Sequence, residues 1–215
     1  IAGRFAAMLQ ARHPGITPSV LSMTSDEIEK GLEKLSLDLG LGYTDRLPLR
    51  QSRLRSFAQY TEHYFLVRKR TESKPLAKQN VGLTIGSKMS WKQAGTLPLC
   101  LLTPDMHNRT IVDAAFAKAG VVVKPVIETN SILTLALSVV AGDVCSVLPG
   151  ALVGAVRGYG ELEALPLHSP AILTPIGFMM PTSLRTSRTQ QAAAALAQDG
   201  AWLSHAAAHS GLLAS

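Results

Sequence analysis

Apolar positions along the chain recur with two periods, and the switches between them outline its elements. Ile1, Phe5, Met8 and Leu9 fall at helical spacing, and His13-Pro14-Gly15 stops that helix. Ile16 to Met23 reads as a strand. Thr24 with Glu27 matches a capping box, ahead of a short helix whose buried stripe is Ile28, Leu32 and Leu35. Leu37, Leu39 and Leu41 alternate with Asp38, Gly40 and Gly42, which is a strand signal. The chain thus opens as helix, strand, helix, strand, a rhythm that predicts one more strand upstream of Ile1. Residues 44–53 read as a polar loop, and Leu54 to Arg70 as extended chain with alternation at Tyr60, Glu62, Tyr64 and Leu66.

The stretch from Leu97 to Gly150 carries the clearest pattern. An apolar run ends in the polar cluster 103–109, and a helix over 107–119 follows with Val112, Phe116 and Ala119 inward and Gly120 as its stop. The same events then repeat. VVVKPVIE at 121–128 reads as a strand, Thr129-Asn130-Ser131 as a junction, and 131–141 as a helix burying Ile132, Leu135, Ala136 and Val139 before Gly142. A strand VCSVL closes the series, with loops expected at 84–96 and 157–161. Two strand-to-helix junctions in succession place two sets of free helix N–H groups at one sheet edge, where small polar or anionic ligands bind. Beyond Ser169-Pro170, Ile172 to Met180 reads as a strand, and a helix begins near Ser187, where Ser187 and Gln190 form another capping box.

Alternating strands and helices predict an α/β fold with mostly parallel sheets and right-handed crossovers. The organisation is discontinuous. One lobe takes 1–70 plus 171–215, a second takes 71–170, and two crossover segments join them beside a cleft.

Composition narrows this picture. At 215 residues and 47% hydrophobic content, the chain builds its core without disulfides or metal. No apolar stretch approaches the ~18 uninterrupted residues of a membrane span, and no signal-peptide pattern is present. Cys100 and Cys145 both lie in apolar runs and read as buried reduced thiols, with a redox pair as the sharper alternative. Neither metal nor cofactor is predicted. The net charge of +6 concentrates between Arg46 and Lys92, at Arg50, Arg53, Arg55, Arg68, Lys69, Arg70, Lys74, Lys78 and Lys88. No helix-turn-helix, zinc-finger or RNP-like pattern accompanies it, so it reads as a solvated basic face or a region that draws in small anions.

Several motifs, in order, resemble the effector-binding domain of LysR-type transcriptional regulators. They are Arg12-His13-Pro14-Gly15 after the first helix, SDEIEKGLEKLSLDLGLGY at 25–43, Phe116-Ala117-Lys118-Ala119-Gly120, Val126-Ile127-Glu128 before the Ser131 helix, and Val140-Ala141-Gly142 leading to Val147-Leu148-Pro149. Together they span nearly the whole chain. The resemblance implies two Rossmann-like lobes of the type II periplasmic-binding-protein kind and a small-molecule effector in the cleft. It further implies side-by-side homodimers, a tetramer for the full-length protein, and a cytoplasmic location with no membrane contact. DNA would be reached only through an N-terminal winged helix-turn-helix that is not among these residues. The family commonly shows Gly-x-Gly where this chain has Gly142-Asp143-Val144, and a second Gly permits backbone conformations that Val does not.

The resemblance also points to effector-binding candidates. Thr24 and Ser25 open a helix whose loop faces the cleft in the family, although capping alone accounts for them. Thr103 ends a strand near a family effector contact. Asn108 and Arg109 follow it, Arg109 offering a bidentate fork to a carboxylate or standing as a solvated helix residue. His107 beside Asp105 has the look of a base and its orienter, but a surface loop pair accounts for it, since no nucleophile falls at a matching spacing. Asn130 and Ser131 form the second junction. Thr174 and Phe178 on the returning strand, and Ser183 and Arg185 after it, complete the set. The basic chain and hydroxyl-rich junctions favour a small anion as effector. Two rival functions share the architecture. An exported solute-binding protein would carry a signal peptide upstream, and an enzyme on the two lobes would need a converging acid–base or nucleophile set.

Overall fold

The computed structural model describes residues 1–46, 53–70, 82–182 and 186–208. In chain order its elements are α1 (Ala2–Arg12), α2 (Ser25–Glu33), β1 (Gly40–Tyr43), β2 (Leu54–Glu62), β3 (Tyr64–Lys69), β4 (Thr84–Ile85), β5 (Met89–Ser90), α3 (Trp91–Ala94), β6 (Leu99–Leu102), α4 (His107–Lys118), β7 (Ile127–Thr129), α5 (Ile132–Ala141), β8 (Cys145–Pro149), α6 (Gly150–Ala155), β9 (Leu162–His168), β10 (Thr174–Pro181), α7 (Arg188–Ala197) and α8 (Gly200–Ala207). They fall into two compact units, Ile1–Glu62 with Thr174–Leu212, and His63–Leu173.

The first unit holds a three-stranded sheet ordered β1-β10-β2, with β10 antiparallel to both neighbours. Alternation along β10 sorts its side chains to two faces. Phe178 joins Phe5, Leu9, Leu196 and Trp202 under α1, α7 and α8. Met179 joins Leu32 and Leu54 under α2. Phe5 lies 4.3 Å from Phe178 and 5.0 Å edge-on from Trp202, centroid to centroid, contacts that add to the burial of large apolar area. Trp202 donates its indole N–H to buried Gln59, which in turn donates to the Ala197 carbonyl at 3.0 Å.

The second unit holds the larger sheet, ordered β4-β9-β3-β8-β6-β7 with β5 also on β9. Every pairing is parallel except those of β3, which runs antiparallel to β8 and β9. Both faces are covered, as a parallel sheet requires. Leu99 and Leu101 point to a core with Trp91, Val112 and Phe116. Cys100 and Leu102, one residue out of step, point to a core with Leu135, Val139 and Val153.

Four differences from the sequence reading have physical causes. Residues 16–23 form no strand, and Val20 and Leu21 are 56% and 60% exposed, because no described strand lies beside them to supply a ladder. The run 121–128 forms strand only from Ile127. Pro125 has no N–H to give, and Val121 and Val123 instead lie over Gly95, where a Cβ would come within 2.7 Å of Val121 Cγ1. The expected loop 84–96 contains β4, β5 and α3, the last fixed by a Ser90–Gln93 capping box and by Trp91, which is fully buried and donates to the Pro170 carbonyl at 2.9 Å. The sheet of the first unit is antiparallel rather than parallel. β1 and β2 run the same way, but β10 returns between them.

Candidate functional site

Two polar junctions in the second unit form where the parallel strands β6 and β7 end and α4 and α5 begin. The C-terminal edge of parallel strands is where α/β sheets gather ligand-binding loops. Thr103 leaves β6, and its N–H donates to the Thr129 carbonyl at 3.0 Å, which ties the two junctions together. Thr103 Oγ1 is buried and has no hydrogen-bond partner among the described residues. Buried polar atoms of that kind mark positions filled by a water or a ligand. Thr129 Oγ1 accepts from the Ser131 N–H at 3.1 Å, and Ser131 Oγ caps α5 by accepting from the Thr134 N–H at 3.2 Å. Both hydroxyls therefore use a lone pair locally and keep their hydrogen to donate. Asn130 stands exposed between them, and His107 opens α4, which has no side-chain cap.

Arg109 is neither solvated nor a free fork. It is 8% exposed, and its Nε–H meets Asp113 at 2.8 and 2.9 Å. One terminal nitrogen donates to Glu128 and to the Leu102 carbonyl, both at 2.6 Å. Burial pulls its pKa down, but the bonds to Glu128 and Asp113 outweigh that and leave it above the ordinary arginine value. Arg109 thus fastens α4 to β6 and β7. Asn108, beside it, is buried as well. Asp113 and Glu128 were not among the expected residues. Asp113 sits four residues along the helix from Arg109, a spacing visible in sequence, whereas Glu128 arrives only through the β6–β7 register, opposite Leu101.

In the first unit the polar junction is the start of α2. Thr24 caps it in a complete capping box. Its Oγ1 accepts from the Glu27 N–H at 3.3 Å and donates to Glu27 Oε2 at 2.9 Å, and that carboxylate accepts from the Thr24 N–H at 2.8 Å. Ser25 is the half-buried first residue of the helix. Arg46 bonds Glu29 at 2.8 Å and also pairs with Asp26. Thr174 begins β10, buried and in register with Glu62. Phe178 is committed to the aromatic core, so its ring packs rather than faces a ligand. Ser183 and Arg185 lie outside the described residues, as do Arg50, Lys74 and Lys78 of the basic stretch.

The two cysteines occupy opposite faces of one sheet. Cys100 faces the core under α5 and α6, and Cys145 faces the core under α3 and α4. No disulfide joins side chains that point away from each other across a sheet. Burial pushes the Cys145 thiol up, against a smaller pull from Arg68.

The family model described as the LysR substrate binding domain matches residues 2–202. Among solved structures, a Corynebacterium glutamicum OxyR C206 mutant is 15% identical at a TM-score of 0.68, covering 96% of this chain and 61% of its own. The effector-binding domain of QuiR in complex with shikimate is 14% identical at a TM-score of 0.67, covering 91% and 88%. Full-length CbnR complexed with its target DNA is 16% identical at 0.66, covering 92% and 64%. The chain therefore spans less than two thirds of the OxyR and CbnR chains, and at these identities the likeness is one of fold.

Proposed function

The chain belongs to the LysR substrate binding domain family, and from that premise we propose that it is the effector-sensing part of a bacterial transcriptional regulator. The observation that carries this reading is the family match over residues 2–202, which takes in both units. The two units act as lobes, 1–62 with 174 onward and 63–173. Thr103, His107, Asn130 and Ser131, with Thr129, supply contacts from one lobe, and Thr24 and Ser25 from the other. Arg109, Asn108, Thr174 and Phe178 serve as scaffold.

A bound ligand shifts a conformational equilibrium only by its differential affinity for one state. In a homodimer that shift re-spaces whatever is attached to the lobes. DNA contact belongs to a domain outside these 215 residues, and the location is cytoplasmic. Val122, Val126, Ile127, Ile132 and Leu133, all exposed around edge strand β7, support association with a second copy. The role is sensing without turnover, as the match to the LysR substrate binding domain supports. The opposed cysteines argue against thiol redox as the signal.

A thermal-shift screen of small metabolites tests the reading. A ligand at a hundredfold its Kd adds about 2.7 kcal/mol, which for a chain of this size raises Tm by about 5–10 °C. A metabolite screen without any stabilising compound, together with a monomer at high concentration in sedimentation, would overturn the proposal.

A further inference from the structure

We infer that the two connections between the units are mechanically unequal. His63 is a one-residue pivot, and the indole of Trp91 is a latch that fixes how much free chain the second connection has. This goes beyond the sensing role and holds whatever ligand is sensed.

At the first connection β2 ends at Glu62 and β3 begins at Tyr64. Glu62 is in register with Thr174 in the first unit, and Tyr64 with Pro149 in the second. His63 alone stands between these ladders, and its carbonyl accepts from the Gly150 N–H at 2.9 Å. The second unit therefore holds the carbonyl side of His63. The freedom left is the pair of soft torsions flanking the Glu62–His63 peptide, since the peptide itself is planar. A link of two Cα steps spans at most about 7 Å. It lets one unit turn against the other, as hinge residues do, and does not let them draw apart there.

The second connection is longer than the register requires. Phe65 lies three residues after Glu62, whereas their strand partners Pro166 and Thr174 lie eight apart, an excess of five. The surplus is gathered against α3. Leu167 and His168 pair with Met89 and Ser90 of β5. His168 Nδ1 lies 2.8 Å from Ser169 Oγ, and the Trp91 indole N–H donates to the Pro170 carbonyl at 2.9 Å. The mooring is firm at its other end. Ser90 and Gln93 close a capping box, and Trp91 is fully buried, edge-on to Phe116 at 5.1 Å. Beyond Pro170 only Ala171, Ile172 and Leu173 run to the β10 ladder, and no hydrogen bond holds them among the described residues. Ala171 and Leu173 are exposed, and Ile172 rests on the second unit's core by apolar contact, which fixes no direction. One hydrogen bond thus separates a free length of three residues, 171–173, from one of five, 169–173. A single neutral bond is weak enough to open without unfolding its surroundings. Opening it adds about 7 Å of reach and widens the range through which the units turn about His63.

Pulsed electron–electron resonance on the whole chain reads that range. Nitroxides are placed at Arg55→Cys and Lys69→Cys, both exposed and eight and six residues from His63 along β2 and β3. Cys100 and Cys145 are buried and stay unlabelled. Trp91→Phe keeps a ring but loses the N–H, and it should widen the distance distribution by several ångströms, within the added reach of about 7 Å. Gly-Gly inserted between Ala171 and Ile172 gives the same free length with Trp91 in place, so it should widen the distribution comparably even if Trp91→Phe impairs folding. The same insertion after Gly120, outside both connections, should change nothing. An unchanged width on the 171–172 insertion overturns the strap, and widening there without widening in folded Trp91→Phe overturns the latch. One Gly added after His63 should alter the distribution, and no change would overturn the pivot. Widening by the Gly120 insertion would mark a loosened fold and overturn all three. None of these readouts involves an effector, so their failure leaves the sensing role to its own test.

Discussion

Replacing Arg109 by Met tests whether this residue is scaffold. The change deletes two bonds to Asp113, one to Glu128 and one to the Leu102 carbonyl, and it leaves a side chain of similar length. Breaking a fully buried ion pair costs about 3–5 kcal/mol, and a surface pair contributes about 0–1. Arg109 falls between these limits. Its own side chain is 9% exposed, but Asp113 and Glu128 are 48% and 44% exposed and rehydrate once released. The Leu102 carbonyl does not, because Leu102 is buried, and an orphaned buried acceptor costs about 1–3 kcal/mol. The expected loss is about 2 kcal/mol, confined to the second unit.

Each unit contains one of the chain's two tryptophans, both fully buried, Trp202 in the first and Trp91 in the second. Urea unfolding followed by fluorescence in a Trp202→Phe background therefore reports the second unit through Trp91. Arg109→Lys should recover only part of the loss, since an ammonium cannot hold the fork on Asp113 while reaching Glu128 and Leu102. A loss under about 0.5 kcal/mol for Arg109→Met would refute the scaffold assignment. So would full recovery by lysine, and either result would return Arg109 to the pool of ligand contacts.

Asp199 caps α8 through the Trp202 N–H and bonds Arg12 of α1, and the Arg12 bond, with that cap, holds its carboxyl below the usual range. A depressed folded pKa means this stabilisation is present above the unfolded value of about 3.9 and is lost as pH falls through the folded one. Acid melts of wild type and Asp199→Asn should accordingly converge at low pH and separate near neutrality. Gly177→Ala sets a Cβ 2.7 Å from Thr44 Cγ2 and 2.8 Å from the Phe57 carbonyl oxygen, which the bulged β10–β2 pairing cannot relieve. A destabilisation of about 1–3 kcal/mol in the first unit is expected from chemical denaturation. Both thiols should resist a disulfide-exchange reagent until the second unit unfolds. Peroxide treatment of the folded chain should yield no internal disulfide, read as no loss of two hydrogens by mass spectrometry.

Local signals were the most legible part of the fold. Capping at Thr24, Ser131 and Ser187 is written in three or four adjacent residues, and each cap forms as the sequence pattern predicts. The helices over 107–118 and 132–141 followed from 3.6-residue periodicity and from the glycines that follow them. What the pattern missed depends on partners far away in sequence. Whether 16–23 becomes a strand depends on a neighbour rather than on its own valine and leucine. The antiparallel strand in each sheet was missed for a related reason. In each unit one strand runs against all its neighbours, β10 in the first and β3 in the second, and each is the strand by which the chain enters that unit from the other. Strand–helix alternation reports parallel crossovers within a unit and says nothing about such entering strands.

The polar junctions were legible in sequence, but the partners of their arginines were not. Thr103, Asn130 and Ser131 were identifiable because strand ends followed by helix caps are local features. Arg109 showed a basic residue near a helix start, which in isolation suggests an anion site. In the structure Arg109 is already paired through one long-range fact, the parallel register that sets Glu128 opposite Leu101 and so beside the guanidinium. A cation counts toward ligand charge only after its protein partners are subtracted, and sequence spacing discloses Asp113 but not Glu128. The same subtraction applies at Arg46, seventeen residues from Glu29 and twenty from Asp26. At both junctions the arginine visible in sequence is spent on carboxylates brought by the fold.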